Sequence, residues 1–467
     1  MIFLLFPNSQ AQVQFMPYEA EGIKGFERGF LEVPENRHKK ESRKLRLPVL
    51  RYRSESTPAG TPVVYLSGGP GGSAAAMLRI RYMRELFKKI ARNHDILLLE
   101  QRGTPLCEPT LYWPAAESFP PDIFTTEQRA LEIMRERSKK AVDHFRLQGA
   151  DLAGYTTTES ADDIEALRLA LGVPELSLLG FSYGTHLTLA TVKRHESKLD
   201  RVVLIGTEGL DQTLKYPSVY DRQLENLSNL AAEVPPIREY VPNMKKLFER
   251  LLQKLDQEPV VIEIRDTRTK KTLQAKLGKF GLQALLRFDL GDGNDFVDFP
   301  RVLYKMDQGD FSGIQPYLER RYNQFGSGIQ GVSYYMDLAS WASSERIARI
   351  REEAKTSLFG NSMNFPMMDV ADIWGNPDLG DEFRAPVRAE LPALFISGTL
   401  DVNTPPYQAA EIVKGFKNGH HLIVEYAGHE DTLPNEGVQK TIIDFFNGQK
   451  PSAASVSLPK PRFKPVD

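Results

Sequence analysis

Residues 178–189 read Leu-Leu-Gly-Phe-Ser-Tyr-Gly-Thr-His-Leu-Thr-Leu, and no other stretch constrains the fold as tightly. The stretch 175–179 ends in apolar residues and reaches Gly180, Ser182 follows, Gly184 comes two residues later, and helix-compatible residues continue. The spacing predicts the end of a buried strand, a sharp turn with the serine at its apex, and the first turns of a helix. The glycines have a steric reason: side chains at both positions would meet the neighbouring strand and helix while the serine holds a strained backbone. Such a turn lifts the serine oxygen clear of the sheet and lets the next N–H, that of Tyr183, face a developing oxyanion. The competing reading is an ordinary Gly/Ser turn, and the rest of the chain must decide between them.

Short apolar runs at 62–66, 95–99, 201–205, 394–397 and 421–426 fit strands buried on both faces. Helical patterns at 77–91, 127–147, 160–171 and 438–446 alternate with them, as in a parallel α/β sheet. Asp162 and Asp163 fall in the first turn of 160–171, where the helix dipole favours acids, and Gly172 and Pro174 stop it. Two strands at 29–34 and 45–52 form an antiparallel hairpin leading into the sheet. Between 210 and 386 the rhythm breaks into helix-like stretches, such as 243–255 and 334–351, and one charged strand pair, 260–265 with 271–276. The expected fold is therefore α/β, a mostly parallel central sheet with flanking helices, interrupted by a large, mainly helical insertion. A chain of 467 residues exceeds the ~250–300 that one core usually holds, which agrees. The expected division is an unordered or leader-derived start at 1–15, sheet domain at 16–209, insertion at 210–386, sheet domain again at 387–449, and a disordered Ser/Ala/Pro/Lys-rich tail at 450–467.

With 59 basic and 61 acidic residues, neither sign of charge dominates, so no nucleic-acid partner is expected. No run of ~18 apolar residues is present, so no transmembrane helix is expected. The single cysteine, Cys107, precludes an intrachain disulfide. Residues 1–6 are apolar and Ser9-Gln10-Ala11 has the small-x-small look of a signal-peptidase site, so export, periplasmic or secreted, is the expectation, with a cytoplasmic location as the alternative.

A serine is a weak nucleophile until a base takes its proton, and that base needs an orienting acid. Asp401 follows the 394–397 strand in Gly-Thr-Leu-Asp, and His429 follows the last predicted strand in Ala-Gly-His-Glu. Both come after Ser182 in the order serine, acid, histidine, and each sits at a strand's carboxyl end, where catalytic loops gather. His186 lies one turn into the helix after Ser182 and is expected to pack beneath the site. Gly68-Gly69-Pro70-Gly71-Gly72-Ser73 follows the third predicted strand and can present a second oxyanion donor, the N–H of Gly69. It lacks the lysine of a phosphate-binding loop and the spacing of a dinucleotide site. No cofactor is called for, and no metal, since no H-x-x-x-H or carboxylate cluster stands out.

These motifs carry a resemblance. The chain resembles the prolyl aminopeptidase and tripeptidyl aminopeptidase family of α/β-hydrolases. The likeness rests on G-G-P-G-G-S at 68–73, Q-R-G-T at 101–104, G-F-S-Y-G at 180–184, G-T-L-D at 398–401 and G-H-E at 428–430. It implies a helical cap over the sheet and hydrolysis of an amide bond near the free N-terminus of a peptide substrate. The prolyl branch has a histidine where this chain has Ser67 and an aspartate where it has Glu100, which points toward the tripeptidyl-like branch. A carboxylesterase with the same triad and an inactive binding protein are the alternatives, and oligomeric state is not legible. An aminopeptidase must pair the substrate ammonium with a carboxylate. Glu208, just beyond the 201–205 strand, is the candidate; the other reading is that it caps a helix or meets a lysine or arginine.

Overall fold

The computed structural model describes residues 12–20 and 23–466. Ten strands form one sheet: β1 (Met16–Ala20), β2 (Ile23–Pro34), β3 (Lys44–Tyr52), β4 (Gly60–Leu66), β5 (His94–Leu99), β6 (Leu176–Phe181), β7 (Leu199–Ile205), β8 (Ala389–Gly398), β9 (Phe416–Glu425) and β10 (Ser455–Ser457). Their spatial order is β1-β2-β3-β5-β4-β6-β7-β8-β9-β10. The β1–β2, β2–β3 and β3–β5 pairs are antiparallel. All other neighbours are parallel.

The non-alternating apolar runs are covered on both faces. Val64, Leu66 and Leu178 pack with Leu167 and Ala190 from the helices Thr157–Leu171 and Tyr183–His195. Their sequence neighbours Val63, Tyr65 and Leu179 point the other way, onto Phe87 and Ile442 from Arg81–Ile90 and Glu436–Phe446. A strand of period two sandwiched by helices produces this split. After β4 the chain steps to β5 on one side, then crosses to β6 on the other. The crevice at the carboxyl ends of β4 and β6 is thus a switch point of the sheet, where α/β folds place their ligands. The Gly-rich turn and Ser182 both sit there.

Between β7 and β8 come the long helices Pro217–Ala232, Met244–Gln257 and Lys279–Asp289, an antiparallel pair Val260–Arg265 with Thr272–Leu277, and the helices Gln315–Gly326, Gly331–Ser340 and Ser344–Ala354. Gly331–Ser340 packs through Val332, Met336 and Leu338 into the core of the sheet domain, and Ser344–Ala354 through Ile350 against Leu214 and Ala342. Most of these elements share a separate core around Leu224, Phe248, Leu285, Phe299 and Leu318. That core also takes in Phe119, Ile123, Phe124 and Ile133, and Tyr112–Pro114 pairs with Gly328–Gln330. Residues 112–134 therefore pack with the insertion although they precede it by some eighty residues of chain, a relation that local periodicity does not carry.

Two local expectations are corrected. The tail from 450 is not free of structure: β10 joins β9, Phe463 and Val466 pack on the insertion core, and Lys464 Nζ reaches Asp298 Oδ2 at 3.0 Å. Its composition cannot build a core of its own, but the open edge of β9 supplies the backbone partners. The helix expected from 160 begins at Thr157, capped by Thr156, whose hydroxyl accepts from Glu159 N (3.3 Å). Asp162 and Asp163 accordingly lie in its second turn and serve ion pairs, Asp162 with Arg194 (2.7 Å) and buried Asp163 with Arg102 (2.7 Å). At the chain start, residues 1–11 lie outside the described residues, while Phe15 packs under the Arg51 guanidinium (3.9 Å).

Candidate active site

Ser182 stands between the end of β6 and the helix Tyr183–His195 with φ 55° and ψ −126°, a conformation that side chains beyond glycine seldom hold. The strain is held from both sides. Ser182 N donates to Ile205 O of β7 (2.9 Å), and Thr185 N donates to Ser182 O (2.8 Å). A β-carbon at Gly184 would collide with the Leu66 carbonyl, and one at Gly180 would stand 2.6 Å from Gly184 O, so both glycines are required. A β-carbon at Gly68 would lie 2.8 Å from Ser182 Cβ and 3.3 Å from its Oγ. The Gly-rich turn is thus laid directly against the serine.

Asp401 and His429 come together from the ends of β8 and β9. Asp401 Oδ2 lies 2.8 Å from His429 Nδ1. Its other oxygen accepts from Asn403 N and Thr404 N, both at 2.9 Å, while the Thr404 hydroxyl donates to Oδ2 (2.6 Å). This turn fixes the carboxylate before any substrate arrives. His429 is buried, its backbone N donates to Gly291 O of the insertion (2.8 Å), and its ring lies 5.1 Å from that of Phe181. The ring also abuts Gly206, where a β-carbon would stand 3.1 Å from Cε1. With Nδ1–H committed to Asp401, Nε2 is the nitrogen left to take a proton. Burial works against the imidazolium, but the charge and hydrogen bond of Asp401 outweigh it and hold His429 above its ordinary value. Burial likewise opposes charge on Asp401, and the charge and hydrogen bond of His429, with Thr404, bring it below the usual carboxylate range.

The turn after β4 is clamped along its length. Gly69 and Gly71 have φ of 127° and 86°. Gly72 N donates to Gly68 O (3.1 Å), and from the insertion Ser333 Oγ donates to Pro70 O and Gln330 Nε2 to Gly71 O, both at 2.6 Å. At its far end, buried Glu100 accepts from Ser73 Oγ (2.6 Å), Ala75 N (2.8 Å) and Thr104 Oγ1 (2.9 Å). Tyr183 opens its helix, so its N–H has no partner within that helix. Its phenol is turned away, bonded to Thr157 Oγ1 (2.8 Å) and Met336 Sδ (3.1 Å).

Glu208 requires a correction. Its carboxylate binds the Lys215 ammonium, so it is not free for an incoming cation, and the alternative reading of this residue describes the structure. His186 lies 3.7 Å from the same carboxylate, but its ring nitrogens are engaged with Gly209 O (3.1 Å) and Ser340 Oγ (2.9 Å). Burial holds His186 below its ordinary value, so it packs there as a neutral ring. Asp337, on the helix that carries Ser333 and Met336, has a carboxyl group without such a partner among the described residues. Burial first, then the nearby Glu208 charge, push its carboxyl well above the usual range, against the opposing pull of Lys215.

Asp337, Lys215 and Thr404 are site residues that sequence reasoning missed. Thr404 had a signal: an aspartate followed by a threonine three residues on, the pattern of a side-chain-closed turn. Among the described residues no three metal-ligating side chains converge.

Residues 61–435 match the family model described as alpha/beta hydrolase fold. Over 169 residues, 34% of this chain and 31% of the relative, the chain is 28% identical to a tripeptidyl aminopeptidase of Streptomyces lividans. Over 226 residues, 44% of this chain and 52% of the relative, it is 26% identical to a proline iminopeptidase of Xylella fastidiosa. The matched stretches thus span about a third and about half of those relatives. Among solved structures, the proline iminopeptidase of Mycobacterium smegmatis aligns over 90% of this chain and 98% of that one, at 14% identity and a TM-score of 0.41.

Proposed function

The chain belongs to the alpha/beta hydrolase fold family, and from that premise we propose that it is a serine hydrolase cleaving amide bonds near the free N-terminus of peptides. The observation that carries the hydrolase reading is the buried His429–Asp401 pair, 2.8 Å apart, at the strand ends beside a strained Ser182. In this scheme His429 Nε2 takes the proton from Ser182 Oγ as Oγ attacks the substrate carbonyl. Asp401 holds the imidazole in the required tautomer and stabilises the imidazolium. The N–H groups of Gly69 and Tyr183 receive the oxyanion, each donor lowering the barrier by about 3–4 kcal/mol. His429 then gives the proton to the leaving amine, and water activated by the same ring releases the acyl group from Ser182.

The aminopeptidase reading rests on Asp337. An ammonium entering a partly dry cleft must be paired. Asp337 offers a carboxyl group bonded to no described side chain, on the helix whose Ser333 grips the Gly-rich turn; burial and Glu208 hold it toward its neutral form, and the charge of an incoming ammonium would favour the carboxylate. The names of the relatives agree with that assignment. Asp337→Asn is expected to cost about 2–4 kcal/mol in kcat/KM on free-amine peptides, the range for removing one partner of a buried charge pair. Small neutral acyl esters should be hydrolysed as before. Equal losses on both substrates would remove the amine-reading role and leave a carboxylesterase with the same triad as the better account.

A further inference from the structure

Three arginines converge at the junction of the insertion and the sheet domain, none of them used by the proposed chemistry. Arg346 is 6% exposed, and its Nε donates to Leu214 O (2.8 Å), yet its Nη2 is buried with no hydrogen-bond partner among the described residues. Its guanidinium carbon lies 4.1 Å from the centre of the Tyr216 ring, and that of Arg349 lies 3.9 Å from the same ring. Tyr216, Arg222, Arg346, Arg349, Tyr407 and Glu411 line a hollow of about 180 Å³. Tyr216 and Arg346 also border a cavity of about 870 Å³, whose wall carries charges of both signs, among them Arg388, Lys414, Glu196 and Glu390.

Charge does not balance in the small hollow. Glu353 pairs with Arg349 (2.7 Å), and Glu411 accepts from Gln212 Nε2 (3.4 Å). Neither pairs with Arg346 or Arg222. A guanidinium removed from water without an acid is costly, and the face of the Tyr216 ring offsets only part of that cost. A structural prop bonded to Leu214 O would account for Arg346 alone, but not for the approach of Arg349 and Arg222 to the same space.

We propose that this hollow binds an oxyanion, the phosphate or carboxylate group of a small ligand. Arg346 Nη2 and the exposed guanidinia of Arg222 and Arg349 would donate to it, and Tyr216 and Tyr407 would form its walls. Planar, fixed N–H forks suit such groups. Tyr216 directly follows Lys215, so the site adjoins the segment that neutralises Glu208.

The test is calorimetric titration of the whole chain with inorganic phosphate and, separately, with succinate, at an ionic strength matched with chloride. Saturable binding of one or both is expected, weakened at least tenfold in the Arg222→Gln/Arg349→Gln double variant. Those exposed substitutions should leave folding and the hydrolysis of small esters unchanged. Arg346→Gln should abolish binding. Binding of phosphate alone assigns a phosphorylated ligand, and binding of succinate alone assigns a carboxylate. Absence of saturable binding tighter than about 1 mM to either probe, or unchanged affinity in the double variant, overturns the proposal.

Discussion

The Glu208 carboxylate holds the ammonium of Lys215 at the point where the chain leaves β7 for the insertion. Lys215 is fixed in turn by backbone bonds to Asn364, its N donating to Oδ1 (2.7 Å) and its O accepting from Nδ2 (2.9 Å). The pair therefore ties the catalytic strand ends to both ends of the insertion. With side chains 10% and 18% exposed, neither charge is well hydrated. Glu208→Gln would strand the ammonium, and a loss of about 2–3 kcal/mol of stability is expected, toward the low side for breaking a buried pair. Chemical denaturation measures it. Kinetic losses should then be alike for peptides and esters. A stable variant impaired only on free-amine substrates would return Glu208 to the role of amine reader.

The triad should behave as a unit. Ser182→Ala and His429→Ala are each expected to lower kcat on the order of 10⁴-fold or more, and the double variant little further. A fluorophosphonate probe should label the native chain and not Ser182→Ala. Near-normal turnover by folded Ser182→Ala would end the serine-hydrolase assignment.

The electrostatics of the His429–Asp401 pair set a pH profile. His429 must be neutral to act as base, and its value lies above the ordinary 6.5, so kcat/KM should rise with pH through a midpoint above 6.5. Asp401→Asn removes the charge that raises it and leaves burial, which lowers it. The midpoint should move to lower pH while kcat falls steeply. The sign for stability differs at the two ends. The contribution of depressed Asp401 is complete above 3.8 and fades as pH drops through its folded value. That of raised His429 is complete below 6.5 and fades as pH climbs through its folded value. An acid limb that stayed in place in Asp401→Asn would show that another group controls it.

What was legible in the sequence is what backbone geometry and catalysis fix locally. Gly180, Ser182 and Gly184 announce a turn that only that spacing permits. Asp401 and His429 each follow an apolar run that reads as a strand, buried along most of β8 and only in part along β9. The unread parts depend on partners distant in sequence. Lys215 reaches Glu208 because Asn364, far along the insertion, holds its backbone. Asp337 sits on a helix whose rotation is set by Ser333 and Gln330 bonding to the Gly-rich turn, a register no helical periodicity encodes. The strand Ser455–Ser457 exists because β9 offers an edge, although its own composition argues against order.

That clamp leads to the last prediction, which separates the Gly-rich turn's catalytic part from its structural part. A methyl group at Gly68 would stand 2.8 Å from Ser182 Cβ and 3.3 Å from Oγ, tighter than real contacts allow, so the turn and the serine must part by a few tenths of an ångström. Gly68 needs no left-handed backbone, unlike Gly69 and Gly71, so Gly68→Ala adds no conformational strain of its own. The fold should survive, since Ser333, Gln330 and Glu100 hold the turn through residues beyond position 68. Catalysis should not, because oxyanion donors work only when placed within hydrogen-bond reach of the developing charge, and losing one costs ~10²–10³-fold in kcat. The expected variant is therefore folded and still labelled, slowly, by the fluorophosphonate, with kcat reduced about a hundredfold and KM little changed. Native kcat in Gly68→Ala would place the second oxyanion donor elsewhere than on this turn.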